Sequence, residues 1–564
     1  MKNQEIAKIF YDIADLLELT DEDFFKPRAY RRAAQSIESL NTDIEEYYKE
    51  NKLREIPGVG KAIEEKIKEL IRTGKSKYYE DLKKKIPIDL IILDIPGLGP
   101  KKAKVLYKKL HIKTIKDLKK AAEQNKISKL EHFGEKTEQE ILKGIINLVE
   151  NRRFLLHEAL PLARSIVEKL KELEHVEKID IAGSLRRKKE TIGDVDILIQ
   201  TSQPEKVMDY FCKLDGVRDV LAKGATKSSV KLFNGMQIDL RVIKAESYGA
   251  GLQYFIGSKE HNIALRKIAI SKGLKLSEYG LFKKDKIVAG KTEEEIYKYL
   301  GLDYIEPEIR ENQGEIEAAL KHKLPKLVSY NEIKGDFQVH SKYSDGISTI
   351  EELTEEAIKL NYEYILITDH WGLAIANGLN ERRFKDYIKK IDSLNRKFSK
   401  FRILKGVESN ILPDGKLDFP KHLIKELDIL TAGIHSSFKI DKTKMTKRIL
   451  KGLNEVNIFV HPTGRIVNQR SPYDFDFEKV LDYAKENNIY LEANSSERLD
   501  LNDVLIRKTI NHDVKIAIGT DAHNKEHLKL IEYGIAQCRR GWAESKDILN
   551  CKSLKEVEKV FNIK

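Results

Sequence analysis

In the stretch IAGSLRRKKETIGDVDILIQ, residues 181–200, an apolar strand pattern opens on two acids, Asp194 and Asp196. Residues i and i+2 of an extended strand point to the same face, so the two carboxylates converge. Carboxylates that close repel, and one takes up a proton near neutral pH unless a cation lies between them. Gly193 ahead of the pair allows a tight entry, Gly183 and Ser184 offer backbone and hydroxyl donors, and Arg186 and Arg187 offer charge for phosphate. A second apolar stretch, GMQIDLRVI, carries Asp239 where a core residue would otherwise stand. Three acids from two strands make a site for Mg²⁺, whose octahedral shell takes carboxylates and substrate phosphates together. The chemistry of such a site is phosphoryl transfer; the alternative is a strand end with surface acids.

The last third of the chain carries a different cue. Its short apolar stretches end in metal-binding residue types: His340 and Asp345 in GDFQVHSKYSDG, Asp369 and His370 in YILITDH, and Glu408 in FRILKGVES. His435 follows in DILTAGIHSS, His461 in IFVHP, and Asp521 and His523 in KIAIGTDAH. In parallel α/β barrels function gathers where strands finish. A lone histidine there is usually structural, but a series at corresponding positions implies a polynuclear site, and imidazole with carboxylate suits Zn²⁺ or Mn²⁺.

The elements that must hold these residues fall into three regimes. Residues 1 to about 150 read as successive helices with an internal repeat: IPGVGKAIEEKI at 56–67, IPGLGPKKAKVL at 95–106 and a looser EHFGEKTEQEIL at 131–142. Glycines in such a turn permit positive φ and close approach, while the N–H groups opening the next helix are ready anion donors. The turn can grip a phosphate without reading a base. From about 151 to 318 the pattern is mixed α and β; 319–332, ALKHKLPKLVSYNE, reads as a polar connection; and from 333 short strands alternate with helical stretches, as in a parallel α/β domain.

Composition narrows the class. The chain has 564 residues, 41% hydrophobic and 34% charged, with net charge +12. That favours polyanionic partners. No apolar run is long enough for a membrane span, and the amphipathic start MKNQEIAKIFYDIADLLEL is unlike a signal peptide. Cys212, Cys538 and Cys551 lie far apart without a CxxC pair, so a reducing, cytoplasmic setting is expected.

The residues GSLRR and GDVD, with the lone Asp239 and the later YFIGSKEHNIALR at 254–266, resemble the nucleotidyltransferase palm of family X DNA polymerases, and the glycine repeats resemble helix-hairpin-helix motifs. The resemblance implies that Asp194, Asp196 and Asp239 hold Mg²⁺ or Mn²⁺ and that Asp239 helps activate a primer 3′-hydroxyl. It places Gly183, Ser184, Arg187 and Gly193 at the dNTP triphosphate, Tyr254, Phe255 and Gly257 at the incoming sugar and base, Asn262 near the base edge and Arg266 near the template. Gly58, Gly60, Gly97 and Gly99 would grip the DNA backbone. Lys66 matches the position of a 5′-deoxyribose-phosphate lyase nucleophile, with Lys26 and Tyr30 at its phosphate, although Lys61, Lys66 and Lys68 read equally as a solvated basic helix.

The last third resembles the PHP (polymerase and histidinol phosphatase) domain, a distorted (β/α)7 barrel. The resemblance implies up to three Zn²⁺ or Mn²⁺ ions on His340, Asp345, His370, Glu408, His435, His461, Asp521 and His523, with 3′-5′ exonuclease or 3′-end processing, in some members abasic-site cleavage. One position departs from the pattern: Gln338 stands where the first histidine of His-x-His belongs. A neutral amide there should weaken one ion or favour Mn²⁺ over Zn²⁺.

The expectation is a multidomain, monomeric enzyme that fills short gaps on gapped or primer-template DNA. It would comprise an all-α helix-hairpin-helix region (1–80 and 81–150), an α+β palm (151–242), a thumb-like subdomain (243–318), a linker (319–332) and a PHP barrel (333–564). Two alternatives stay open: a polymerase with a vestigial PHP scaffold, and a PHP phosphoesterase whose palm only docks DNA.

Overall fold

A computed structural model describes residues 3–19, 25–38, 44–73, 76–86, 88–95, 98–131, 133–149, 153–372 and 376–563 of the 564. The chain divides into two compact units, residues 1–152 with 372–378, and 153–371 with 379–564.

The first unit is helical, and the repeat is its organising feature. Helices begin at Lys61, Pro100 and Glu135. Each is entered through the same pair of backbone bonds: Val59, Leu98 and Phe133 N–H donate to Ile56, Ile95 and Leu130, while Glu64, Ala103 and Glu138 N–H reach Gly60, Gly99 and Gly134. Gly58 adopts φ +85° and packs on Arg32 and Ala33, which a side chain would meet at 3.0–3.3 Å. Gly60, Gly99 and Gly134 face open space instead. Gly97 lies outside the described residues.

In the second unit, five strands form the palm sheet: β1 (Val176–Ile181), β2 (Asp194–Thr201), β3 (Val217–Lys223), β4 (Lys227–Leu232) and β5 (Gln237–Val242), in the order β1-β2-β5-β4-β3. Strands β2 and β5 are parallel neighbours, and the other pairs are antiparallel. Val195, Ile197 and Ile199 are fully buried in the palm core, so period-2 alternation turns Asp194 and Asp196 to the opposite face. On that face Leu198 is buried with Ala182 and Ile256. The thumb follows, with helices Tyr248–Ile256 and Lys259–Ser271 and a small antiparallel sheet of β6 (Lys275–Ser277), β7 (Gly280–Lys283) and β8 (Lys286–Ala289).

Seven parallel strands then run in chain order: β9 (Gly335–Val339), β10 (Tyr364–Ile367), β11 (Arg402–Asn410), β12 (Ile429–Gly433), β13 (Ile458–Phe459), β14 (Tyr490–Asn494) and β15 (Ile516–Gly519). A parallel bridge between Val339 and Ala522 brings the last strand beside the first, so the sheet is nearly a closed barrel. Strands such as β10 and β15 are buried throughout, as apolar runs of a parallel sheet must be.

Residues 319–332 do not behave as a solvated connection. Val328 N–H donates to Ala543 O at 2.9 Å, Lys326 N–H to Glu544 at 2.9 Å, and the Val328 side chain is fully buried in the barrel core. The apolar residues among these lysines provide the anchor that composition conceals.

Candidate active sites

The register of β2 on β5 sets Asp196 directly opposite Asp239 and Asp194 opposite Gln237. Gly183, at φ +63°, lets the chain pass over Asp196: a Cβ there would fall 2.6 Å from Asp196 Oδ2. Burial, with Asp194 and then Asp239 adding repulsion, pushes the Asp196 carboxyl up to about 6, against the weaker pull of Arg241 and Lys227. Asp239 is also raised by burial, but hydrogen bonds from Lys227, Gln237 and Ser229 prevail and hold it below the usual carboxylate range. Lys227 Nζ lies 2.8 Å from Asp239 Oδ2, and Gln237 Nε2 donates to Oδ1 at 2.9 Å.

Above the first two acids lies a cleft of about 490 Å³. It is lined by Asp194, Asp196, Gly183, Ser184, Arg187, Gly193, Tyr254, Phe255, Gly257, Asn262 and Arg266. Every palm and thumb residue that the resemblance places at the nucleotide thus reaches one cavity, and Asp239 adjoins it through the sheet; Arg186, expected beside Arg187 as charge for phosphate, instead lines a separate cavity with Leu185 and Lys188. Arg187 Nε is 3.1 Å from Glu311 and its guanidinium also meets Ile256 O. Asn262 is held from both sides, accepting from Gln253 at 2.6 Å and donating to Tyr254 O at 2.7 Å. Arg153 and Lys259 line the same cleft and escaped the sequence reading. Arg153 stands at a domain boundary with no motif around it, braced on Thr191 by bonds of 2.8 and 2.6 Å.

In the barrel, all eight expected residues lie in or just beyond the C-terminal ends of their strands or in the loops that follow. The ligand atoms of His340, Asp345, His370 and His523 lie within 4.8 Å of one another, as do those of His370, Glu408 and His435. Glu408, almost wholly buried, meets His435 Nε2 at 2.8 Å and His461 Nε2 at 2.9 Å. Burial would raise its carboxyl, but His370, His435 and His461 hold it well below the ordinary range. Asp521 approaches His340 Nε2 at 3.3 Å, and Asp345 meets His523 Nε2 at 3.1 Å.

These residues fit a cluster of divalent cations. Among the described residues, Nδ1 of His340 and Nδ1 of His461 are buried without a hydrogen-bond partner, while Nε2 of His340 and of His435 face only the carboxylates of Asp521 and Glu408. An unpaired buried polar atom costs about 1–3 kcal/mol. Cations ligated by neutral imidazole relieve that cost and the repulsion among the acids at once.

Gln338 is built into the same cluster. Its Nε2 donates to Glu408 Oε2 at 2.9 Å, and its Oε1 accepts from Asn494 at 3.4 Å. Asp521 Oδ2 accepts from Asn494 and from Arg498 Nε, each at 3.3 Å. The side where a first histidine is expected is therefore closed by two amides and a guanidinium. Glu492 and Arg498 were missed in the sequence, although Glu492 interrupts the apolar strand YLEAN as Asp239 interrupts its own. Burial drives the Glu492 carboxyl well above the ordinary range, with Asp521 adding to it. Asp369 is positional: its oxygens accept from Ser341 N–H at 2.8 Å and from Ser341 and Ser344 hydroxyls at 2.6 Å, fixing the loop after His340.

In the helical unit, Lys66 Nζ sits 4.5 Å from the centroid of the Tyr78 ring and bonds Ala62 O at 3.2 Å. Burial, aided by Lys26, lowers its ammonium pKa against the opposing charge of Glu69. Tyr30 is buried, stacked on Tyr78 with centroids 6.1 Å apart, whereas Lys26 is exposed.

Five family descriptions match the chain: a helix-hairpin-helix domain over 1–76, a SAM-like helix-hairpin-helix tandem over 89–145, the DNA polymerase beta palm over 152–232, the DNA polymerase beta thumb over 251–311, and the PHP domain over 336–496. The chain is 39% identical over 568 residues to DNA polymerase/3′-5′ exonuclease PolX of Bacillus subtilis, covering 99% of each protein. It is 26% identical over 346 residues to DNA polymerase lambda of Arabidopsis thaliana, covering 55% of this chain and 62% of that one. Within 31% of its length it is 31% identical to a probable phosphatase of Caldanaerobacter subterraneus, of which it covers 70%.

Proposed function

This chain belongs to the family X DNA polymerases that carry a C-terminal PHP domain, and from that premise we propose that it fills short gaps in damaged DNA and trims 3′ ends at a second site. The observation that carries the reading is the cleft that gathers Ser184, Arg187, Tyr254, Asn262 and Arg266 over Asp194 and Asp196, with Asp239 abreast of Asp196. The working division is two helix-hairpin-helix segments at 1–80 and 81–150, palm at 151–242, thumb at 243–318, an anchored connection at 319–332 and the PHP barrel from 333.

Asp194, Asp196 and Asp239 would hold Mg²⁺ or Mn²⁺, which when bound neutralises the triphosphate and the charge that develops in in-line displacement. Ser184, Arg187 and Arg153 supply donors to the phosphates, and Gly183 and Gly193 let the backbone come close. Tyr254 and Phe255 pack the incoming sugar and base, and Asn262, pinned on Gln253, presents a fixed amide edge. Asp239 stays ionised through its bonds to Lys227 and Gln237 and favours loss of the proton from the primer 3′-hydroxyl. The new bond joins that oxygen to the α-phosphorus, and pyrophosphate leaves. Catalysis here is positioning and charge placement rather than covalent help.

At the barrel, Zn²⁺ or Mn²⁺ would be held by His340, Asp345, His370, Glu408, His435, His461, Asp521 and His523, and would supply Lewis-acid activation for phosphodiester hydrolysis. Glu408, in contact with His435 and His461, orients both rings, and Arg498 beside Asp521 offers a cation to the phosphate. Water adds to phosphorus and the terminal nucleotide departs. A lyase activity rests on Lys66, whose lowered pKa leaves more free amine for imine formation with a deoxyribose aldehyde. The Gly60, Gly99 and Gly134 turns, open to solvent, would hold the DNA backbone, and that binding should weaken steeply with salt.

A 5′-labelled primer on a gapped duplex, incubated with and without dNTPs, tests the assignment. Wild type should extend with dNTPs and degrade without them; Asp239→Ala should lose only extension, and His340→Ala only degradation. Extension surviving the first change, or degradation the second, overturns the corresponding site.

A further inference from the structure

The loop that carries Ser184 and Arg187 is held from outside the palm. Arg540, on the barrel helix Ile531–Arg540, donates from Nη1 to Arg187 O at 2.7 Å, and Gln537 on the same helix donates to Lys188 O at 3.2 Å. Glu532, at the start of that helix, pairs with Lys188 at 3.4 Å and with Arg164 at 2.8 Å. Leu499 and Tyr533 of the barrel are buried within the palm's own apolar core. Palm and barrel therefore share an interior wall, and the nucleotide loop lies on it.

The charges at that wall are shared as well. Glu311 accepts from Arg187 Nε and from Arg540 Nη1, both at 3.1 Å, with Lys189 Nζ at 3.8 Å. Arg540 is 4% exposed and is held on its other edge by Asp503. With Arg540 removed, Glu311 would lose its second guanidinium and bind Arg187 more tightly, and its charge would oppose an arriving triphosphate. Arg187 O would lose its donor too, leaving the loop less well fixed.

We infer that Arg540, a residue of the barrel, is a positioning residue of the polymerase site: by sharing Glu311 and fixing the Arg187 carbonyl it keeps Arg187 available to the nucleotide triphosphate. Nucleotide affinity at the palm then depends on a side chain of the other catalytic domain, and the two domains form one functional body. The inference rests on the polymerase reading above.

The full-length protein serves for the test, with gap-filling kinetics and equilibrium binding of a fluorescent dNTP in Ca²⁺. Arg540→Ala should raise KM for dNTP and weaken binding about tenfold, with kcat changed less than threefold and exonuclease rate unchanged. Adding Glu311→Gln should recover at least a third of the lost affinity, because Arg187 is released, and Gln537→Ala should show a smaller loss in the same direction. Wild-type KM in Arg540→Ala overturns the inference while leaving the polymerase reading intact. So does a variant in which extension, exonuclease and thermal midpoint fall together without recovery by Glu311→Gln, since that marks a purely structural role. A wild type that neither extends nor binds dNTP overturns both.

Discussion

Asp196→Asn should make the chelator-treated protein more stable while abolishing extension. In the fold this carboxyl titrates at about 6 rather than 3.8, because it is buried beside Asp194 and Asp239. Each unit of pKa is worth about 1.4 kcal/mol, so ionising Asp196 costs the fold about 3 kcal/mol above pH 6. The sign follows from proton binding: the folded state holds this proton more tightly than the unfolded chain. The cost is absent below about pH 4, grows between 4 and 6, and is complete above 6. Asparagine has the same shape and no charge, and removes it. Thermal unfolding of the EDTA-treated pair, followed by calorimetry from pH 4 to 8, should give midpoints that coincide near pH 4 and separate by several degrees at pH 7.5. Added Mg²⁺ should raise the midpoint of wild type more than that of the variant, since only wild type keeps the complete palm set and binding to the folded state stabilises it. An advantage that is the same at pH 4.5 and 7.5, or a variant less stable than wild type at pH 7.5, refutes the account of Asp196 as a strained acid awaiting a cation.

Gly183→Ala should cut extension at least a hundredfold with exonuclease unchanged, because its Cβ would lie 2.6 Å from the Asp196 carboxylate and φ is +63°; gap filling read beside 3′ degradation checks this. Gln338→His should raise bound Zn²⁺ or Mn²⁺ per chain after dialysis, measured by emission spectroscopy, because an ionisable ligand would replace the amide now bonded to Glu408 at 2.9 Å. An unchanged metal content would show that Arg498 and Asn494, not residue 338, set the ion count. Lys66→Arg should abolish borohydride trapping on DNA with a 5′-deoxyribose phosphate and leave gap filling within twofold; trapping that persists would assign the amine elsewhere.

The features legible in the sequence are those where burial and charge conflict within one element. Asp194 and Asp196 at period-2 spacing, Asp239 in an apolar strand, and the polar ends of six of the seven barrel strands all announce themselves locally, and the fold brings each set together. The glycine repeat was legible for a related reason: its two backbone bonds recur within a few residues in all three copies. Arg153, Arg498 and Arg540 were not legible. An arginine is common on any surface of a basic chain, and only the fold reveals that Arg498 reaches Asp521 or that Arg540 is buried under Arg187. The connection at 319–332 was misread because two anchoring residues, Leu327 and Val328, carry no periodicity.

The two sites solve the problem of clustered acids differently, and the difference bears on how independently they work. In the palm, Asp239 is compensated by Lys227 at 2.8 Å, leaving Asp196 as the strained member. In the barrel, Glu408 is compensated by histidines that follow other strands of the same sheet, so the acid and its counter-charges belong to a single, nearly closed sheet. That set needs nothing from the palm. The palm's second source of charge, Arg187, is instead divided with Arg540 through Glu311. Dependence should therefore run one way: changes at barrel ligands such as His340 leave nucleotide affinity intact, whereas changes on the outer face of the Ile531–Arg540 helix reach the polymerase and spare the nuclease.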